Sequence, residues 1–161
     1  MTSQSYTIRP ACPEDADAVT AMWVEMADQH AGYDVQRWQW APGADEKWRK
    51  HFLEMTGKDD WVALVAVDAE DRAVGFVTAH LRSVAPVFAA ERAADIGNLA
   101  VTGEHRGRGI GKMLAKAMLE ELKARGAEYV TVGVACANDV ASRLYENFGF
   151  REVMRSMYLR L

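Results

Sequence analysis

The sequence predicts one domain of the α/β (α+β) class, and three observations predict it. Short β-prone runs alternate along the chain with segments of helical period. Two of those runs, Trp61–Val67 and residues 73–81, lie close enough to pair as an antiparallel hairpin. A glycine-rich turn near residue 107 leads from a strand into an amphipathic helix. The length of 161 residues suits a single core, so one domain is expected over residues 1–161. A composition that is 50% apolar and 26% charged belongs to a folded globule and not to a disordered chain.

Residues 6–9 form a short β-prone run stopped by Pro10, and Pro13, Glu14 and Asp15 then open a helix with acid in its first turn. Along that helix Ala18, Met22 and Met26 share a face with Val19 and Trp23 beside them, as far as the breaker Gly32. Residues 31–43 carry Tyr33, Asp34, Trp38 and Trp40 without a clear period, which is an aromatic loop or an irregular helix. Trp48, Phe52 and Met55 mark a second helix over residues 45–55. The hairpin follows, with a polar turn at residues 68–72. Residues 83–93 contain Pro86 and are expected as a loop, and residues 95–101 as a strand.

Ile110, Met113, Leu114, Ala117, Met118 and Leu122 make one apolar stripe of a third helix, which ends at Gly126. Residues 129–134 are a β-branched strand. Asn138 is placed to cap a helix through Val140, Ala141, Leu144, Tyr145 and Phe148, with Gly149 just past its end. Residues 151–161 are expected to close the chain as a final strand. There is no internal repeat, no low-complexity segment and no interdomain linker.

Nineteen Lys and Arg against 23 Asp and Glu give a net charge of −4, which argues against a nucleic-acid binder built on a basic surface. The two cysteines, Cys12 and Cys136, cannot supply a disulfide framework or a four-thiolate zinc site, so no metal is expected and a reducing cytoplasm fits. Residues 1–13 contain no apolar export signal, and Trp61–Val67 is too short to span a bilayer. A cytoplasmic protein without a membrane partner is the expectation.

The stretch Val101-Thr102-Gly103-Glu104-His105-Arg106-Gly107-Arg108-Gly109-Ile110-Gly111-Lys112 joins a strand to a helix and has the chemistry of an anion cradle. Glycines admit a ligand close to the backbone, and the first helical turn offers unpaired N–H groups. The macrodipole favours a negative group there by roughly 0.3–1 kcal/mol. Arg106, Arg108 and Lys112 concentrate positive charge at this point of an acidic chain, and a diphosphate is the natural guest. A P-loop would need Gly at 106 and Ser or Thr at 113, where Arg106 and Met113 stand. A dinucleotide fingerprint would need a third glycine at Lys112, and the preceding chain is a hairpin instead of a βαβ unit.

Arg106-Gly107-Arg108-Gly109-Ile110-Gly111 resembles the acyl-CoA pyrophosphate motif, Arg/Gln-x-x-Gly-x-Gly/Ala, of the GNAT superfamily of acetyl-CoA-dependent N-acetyltransferases. A second segment, from Asn138 through Ala141 and Tyr145 to Gly149-Phe150, is similar to that superfamily's Asn-x-x-Ala-x-x-x-Tyr-x-x-x-Gly-Phe pattern. The order of elements agrees from Tyr6 to Leu161. The resemblance implies a central, mostly antiparallel mixed sheet flanked by helices, acetyl-CoA as co-substrate, and a small-molecule or peptide amine as acceptor. Homodimers occur among such proteins, often through the last strands, although Tyr158 and Leu159 could equally face this chain's own core.

The same resemblance places the pyrophosphate on backbone amides of Arg106, Gly107, Arg108, Gly109, Ile110 and Gly111, with Lys112 either assisting an adenosine phosphate or simply solvated. It places pantetheine on the strand edge at Leu99, Ala100 and Val101, where a bulge is common, with the Leu99 or Ala100 N–H polarising the thioester carbonyl. Tyr145 is the implied proton donor to the departing thiolate; its spacing from Ala141 and Phe148 equally suits a core aromatic. Asn138 is an implied CoA contact as well as a cap. Cys136 has no adjacent His to activate it, which favours a small buried thiol.

Many such proteins carry a carboxylate at the position of Gly97 or Asn98, and this sequence has none. Deprotonation then falls to Asp95, which a bulge could re-aim, to a water relay, or to an amine already partly neutral; His80, Glu91 and Asp34 are substitutes. Tyr33, Asp34 and Trp38, with His30 and Trp40, would shape the acceptor pocket or pack as an aromatic lid. Two functions follow: an active N-acetyltransferase, or a catalytically weak acyl-CoA-binding sensor that kept the cofactor site.

Overall fold

The structure, a computed structural model, describes residues 5–161; of the amino-terminal segment in which no export signal was found, residues 1–4 lie outside the described residues. Five strands form one sheet in chain order, β1 (Thr7–Pro10), β2 (Trp61–Val67), β3 (Ala73–Ser83), β4 (Arg92–Val101) and β5 (Tyr129–Val132). The first four are antiparallel neighbours, and β5 joins β4 in parallel after a crossover through α3 (Ile110–Ala124). The mixed, mostly antiparallel sheet is therefore as expected.

α1 (Ala16–Tyr33) and α2 (Ala44–Met55) cover one face of the sheet, while α3 and α4 (Asp139–Glu146) cover the other. This explains why β2 is an unbroken apolar run: Val62, Leu64 and Ala66 pack toward α3, and Trp61, Val65 and Val67 toward α1 and α2. Ile110, Leu114, Met118 and Leu122, spaced by four, are all buried against the sheet. At the start of α3 the helix approaches β3 so closely that a Cβ at Gly75 would lie 3.0 Å from Leu114 Cδ1 and 3.2 Å from Ile110 Cγ2. Gly75 thus sets how near the glycine turn comes to the sheet.

Most boundaries fall within two residues of expectation, with β4 starting three residues earlier. The final strand is the exception. Residues 151–161 join no ladder, and Val153, Met154, Met157 and Leu159 are exposed. The tail is held instead to the α1–α2 loop, where the Tyr158 hydroxyl donates to the Gln36 carbonyl at 3.1 Å and Arg160 Nη1 donates to Gln39 Oε1 at 3.2 Å. A strand-like pattern becomes a strand only when it is aligned along a neighbouring edge that supplies backbone partners, and this tail lies against the α1–α2 loop instead.

Candidate active site

Beyond Val101 the chain makes a short helical turn, Gly103–His105, and enters α3 through two left-handed glycines, Gly107 at φ 75° and Gly109 at φ 80°. Only glycine adopts that conformation without strain. A Cβ at either position would meet nothing within 4 Å, so the space before the helix is open. The first bond of the helix ladder is Met113 N–H to the Gly109 carbonyl, which leaves the preceding amides of α3 as donors without ladder partners.

The arginine side chains of this turn brace it. Arg106 Nε donates to the Val101 carbonyl at 3.0 Å, and its Nη2 reaches Glu25 of α1 at 3.3 Å. Arg108 donates to the Tyr6 hydroxyl at 3.2 Å and to the Glu104 carbonyl at 3.0 Å. The Ile110 side chain is buried in the core, so only its backbone is offered. Lys112 is exposed on the first turn.

The β4–β5 ladder ends at the pair Ile96 and Val132. From Gly97 to Val101, β4 is paired with β3 alone, so its other edge is open as it runs into the glycine turn. Leu99 and Ala100 lie on that stretch with Leu99 packed toward the α3 core, which leaves their backbone as the functional part. The bulge is present: opposite Thr78 and Ala79 stand Asn98 and Ile96, with Gly97 as the extra residue.

Directly paired residues share a face, which puts Ala93, Asp95, Asn98 and Ala100 on the α1–α2 side with Thr78, His80 and Arg82. Asn98 Nδ2 donates to Thr78 Oγ1 at 3.0 Å, and Thr78 is 2% exposed. Alternation alone would set Asp95 on the Gly97 side; the bulge re-aims it onto this face, where Arg82 Nε donates to it at 2.6 Å and Thr131 Oγ1 donates to its other oxygen. Burial acts to raise the Asp95 pKa; the bonds from Arg82 and Thr131 and the Arg82 charge outweigh it and hold the carboxyl below its ordinary value. A carboxylate so committed is a weak proton acceptor. His80 is turned toward Asp60, 3.2 Å away.

Tyr145 is 6% exposed and packs edge-on against Phe150 at 5.3 Å. Burial pushes its pKa up to about 12, so the phenol keeps its proton at neutral pH. Asn138 caps α4, its side-chain oxygen accepting from Ala141 N–H at 3.1 Å. Cys136 is exposed, against the expectation of a buried thiol, because β5 ends at Val132 and leaves it in the following loop.

The region assigned to the acceptor is largely self-contained. His30 contacts both Tyr33 and Trp38 edge-on, and Gln29 Nε2 donates to the Tyr33 hydroxyl at 2.6 Å. Asp34 Oδ1 accepts from the Gln36 and Arg37 amides, which shapes the loop after α1. Sequence reasoning missed Thr78 and Glu25. The signal for Thr78 was a lone hydroxyl in the otherwise apolar run Val74-Gly75-Phe76-Val77-Thr78-Ala79; nothing local distinguishes Glu25 from any exposed helix acid. Among the described residues, no group of three or more His, Cys, Asp or Glu could hold a metal ion.

The profile of the acetyltransferase (GNAT) family matches residues 23–150, and the chain belongs to that family. It is 26% identical over 149 residues to an uncharacterized N-acetyltransferase of Methanocaldococcus jannaschii, covering 92% of this chain and 62% of that protein. It is 26% identical over 148 residues to phosphinothricin N-acetyltransferase of Streptomyces coelicolor, covering 91% of this chain and 82% of the relative. A match to the ribosomal protein bS18 alanine N-acetyltransferase of Salmonella typhimurium is 36% identical but spans 40% of this chain and 45% of that one. The chain thus spans less than two thirds of several relatives. Among solved structures, a Bacillus halodurans protein superposes with a TM-score of 0.85 at 22% identity, covering 96% of this chain and 99% of that one. An aminoglycoside N-acetyltransferase in complex with CoA superposes at 0.75 with 18% identity, covering 99% and 96%. At such identities these two likenesses concern the fold.

Proposed function

We propose that this protein transfers an acetyl group from acetyl-CoA directly to a primary amine. One observation carries the reading: the open edge of β4 leads through the short Gly103–His105 turn to a glycine turn with open space beside Gly107 and Gly109 at the start of a 15-residue helix. Both halves fit an acyl-CoA, the turn accepting the diphosphate and the strand edge the amide-bearing pantetheine. Amides from Arg106 to Gly111 bind the diphosphate, and Asn138 contacts the CoA beside α4. The Leu99 or Ala100 N–H polarises the thioester carbonyl, and Tyr145 returns a proton to the leaving sulfur. Asp95 bounds the acceptor side of the opening, with Tyr33, Asp34 and Trp38 around the incoming amine. When bound, acetyl-CoA supplies the activated acetyl group; every other contribution is this chain's positioning and proton handling.

Calorimetry with CoA, followed by thiol release from acetyl-CoA across a panel of primary amines, tests the proposal. Binding with release establishes transfer. Binding without release from any amine favours the second reading, a CoA-binding sensor, which the absence of an acid at Gly97 and Asn98 supports. We also propose a cytoplasmic homodimer. Its support is the apolar tail, with Met157 and Leu159 96% and 80% exposed, together with the β5 edge left open on the side away from β4. Light scattering of the intact protein and of a Leu159→Lys variant tests the dimer. No helix is long and apolar enough to cross a membrane.

A further inference from the structure

We infer that His80 is the base of the acetyl transfer: held in one tautomer by Asp60, it takes the surplus proton of the acceptor amine through a single water. The inference rests on the acetyl-transfer reading and deepens it by naming the proton acceptor.

His80 lies on β3 directly opposite Asp95 of β4, on the sheet face it shares with Thr78 and Asn98. Thr78 is about 7 Å from it along β3 and faces Asn98, beside the bulge where the open edge of β4 begins. The Cα atoms of His80 and Asn98 are therefore roughly 8 Å apart, a gap that an imidazole and one water span. The helices do not seal this part of the sheet: the His80 side chain is 49% exposed and that of Asp95 41%. An amine arriving over the α1–α2 face, and the water beside it, have access to the ring.

Asp60, just before β2, decides which ring nitrogen can accept. His80 Nε2 is 3.2 Å from Asp60 Oδ2. An ionised carboxylate only accepts, so Nε2 carries the hydrogen and the lone pair is left on Nδ1. Among the described residues Nδ1 has no hydrogen-bond partner. When the ring takes a proton, the Asp60 carboxylate stabilises the imidazolium. The other groups around it offer no equal. Asp95 is bonded to Arg82 and Thr131, and Arg82 also lies over the Tyr129 ring. In the turn before β2, Lys58 Nζ is directed to Met55 Sδ, and the Asp59 carbonyl accepts from Arg125. From α2, Phe52 packs edge-on against Trp61, the β2 partner of His80. His51 of α2 contacts the Trp48 ring and has no carboxylate to fix its tautomer.

The reaction then balances. The neutral amine nitrogen bonds to the acetyl carbon, and the carbon–sulfur bond breaks. The sulfur takes the Tyr145 proton. The nitrogen's surplus proton passes to the bridging water as that water gives one of its own to His80 Nδ1. The imidazolium then releases its proton to solvent, and Tyr145 is reprotonated from solvent. Two deprotonations are thus required, one of the free amine and one of His80, and each leaves its own mark on the pH profile.

The test uses the intact protein at saturating acetyl-CoA with a panel of putrescine, ethanolamine, alanyl-alanine and Nα-acetyl-lysine methylamide, and takes the amine that releases thiol fastest at pH 7.5. Imidazoles change charge between about pH 5 and 8. Below that change, kcat/KM of the unaltered protein should fall about hundredfold per pH unit, and above it about tenfold per unit up to the amine's own pKa. His80→Gln should lower kcat/KM at pH 7.5 about 10²-fold, leave the acetyl-CoA Kd within about twofold, and follow the tenfold slope throughout. Asp60→Asn should move the change of slope to lower pH and Asp60→Glu should return it, which identifies Asp60 as a positioning residue. His51→Gln should leave the profile unaltered. A single tenfold slope in the unaltered protein, a His80→Gln rate within about threefold of the original, or a profile altered by His51→Gln and not by His80→Gln would overturn the inference and leave acetyl transfer standing. Release with no amine of the panel by protein that binds CoA would overturn the acetyl-transfer reading, and this inference with it.

Discussion

The most direct test of the anion site is Gly109→Ala. Gly109 sits at φ 80° and ψ 1° as the cap of α3, and an added Cβ meets no heavy atom within 4 Å. The cost to folding is therefore confined to the backbone, about 1–2 kcal/mol for a left-handed residue with a side chain, or a melting temperature lower by about 2–8 °C. The cost to CoA binding arises separately. The methyl group enters the open space in front of the donor amides, and losing one charge-assisted hydrogen bond there costs about 1.5–3 kcal/mol. The CoA Kd should rise about 10- to 100-fold.

A matched control lies at the other end of the same helix. Gly126 has φ 84° and equally empty surroundings, so Gly126→Ala carries the same backbone cost far from the turn. Calorimetry with CoA on both folded variants, beside thermal melts, separates the two effects. A Gly109→Ala protein that melts cooperatively and binds CoA within twofold of the unaltered protein would refute the assignment. So would equal losses in the two variants, because the effect would then be stability alone.

Two further outcomes are expected. Tyr145→Phe keeps the ring against Phe150 and should leave the melting temperature and CoA affinity nearly unchanged while lowering turnover about 10²-fold, measured by thiol release under saturating acetyl-CoA. Asp15 governs acid stability. Burial acts to raise its pKa, but bonds from Arg9 at 2.8 and 2.9 Å and from the Cys12 amide outweigh it and hold the carboxyl below its ordinary value. A folded-state pKa below the unfolded one means that its contribution is complete above about pH 4 and is lost as pH falls through the folded value. Asp15→Asn should therefore cost about 1–3 kcal/mol at pH 7, with the two melting curves converging toward pH 2.

Most elements and both candidate motifs were legible in the sequence because they depend on local rules. The stripe Ile110, Leu114, Met118 and Leu122, the cap at Asn138, and the glycines at 107 and 109 each announce themselves within a few residues. A strand with one apolar period, or a turn that requires a positive φ, restricts its own residue types, so these features survive in one dimension.

Other features exist only once the sheet is assembled. The tail at 151–161 carries a strand pattern and forms none, since pairing needs alignment along a sheet edge and the tail is held to the α1–α2 loop. Asp95 reaches the face of Asn98 only through the bulge at Gly97, and its ties to Arg82 and Thr131 cross three strands. Thr78 and Asn98 are twenty residues apart, and the β3–β4 register is what sets them directly opposite each other on one face. Local propensity determines which element a segment forms. Which side chains share a face, and which proton acceptors are already taken, depends on register between strands distant in the chain, and tertiary structure alone decided that.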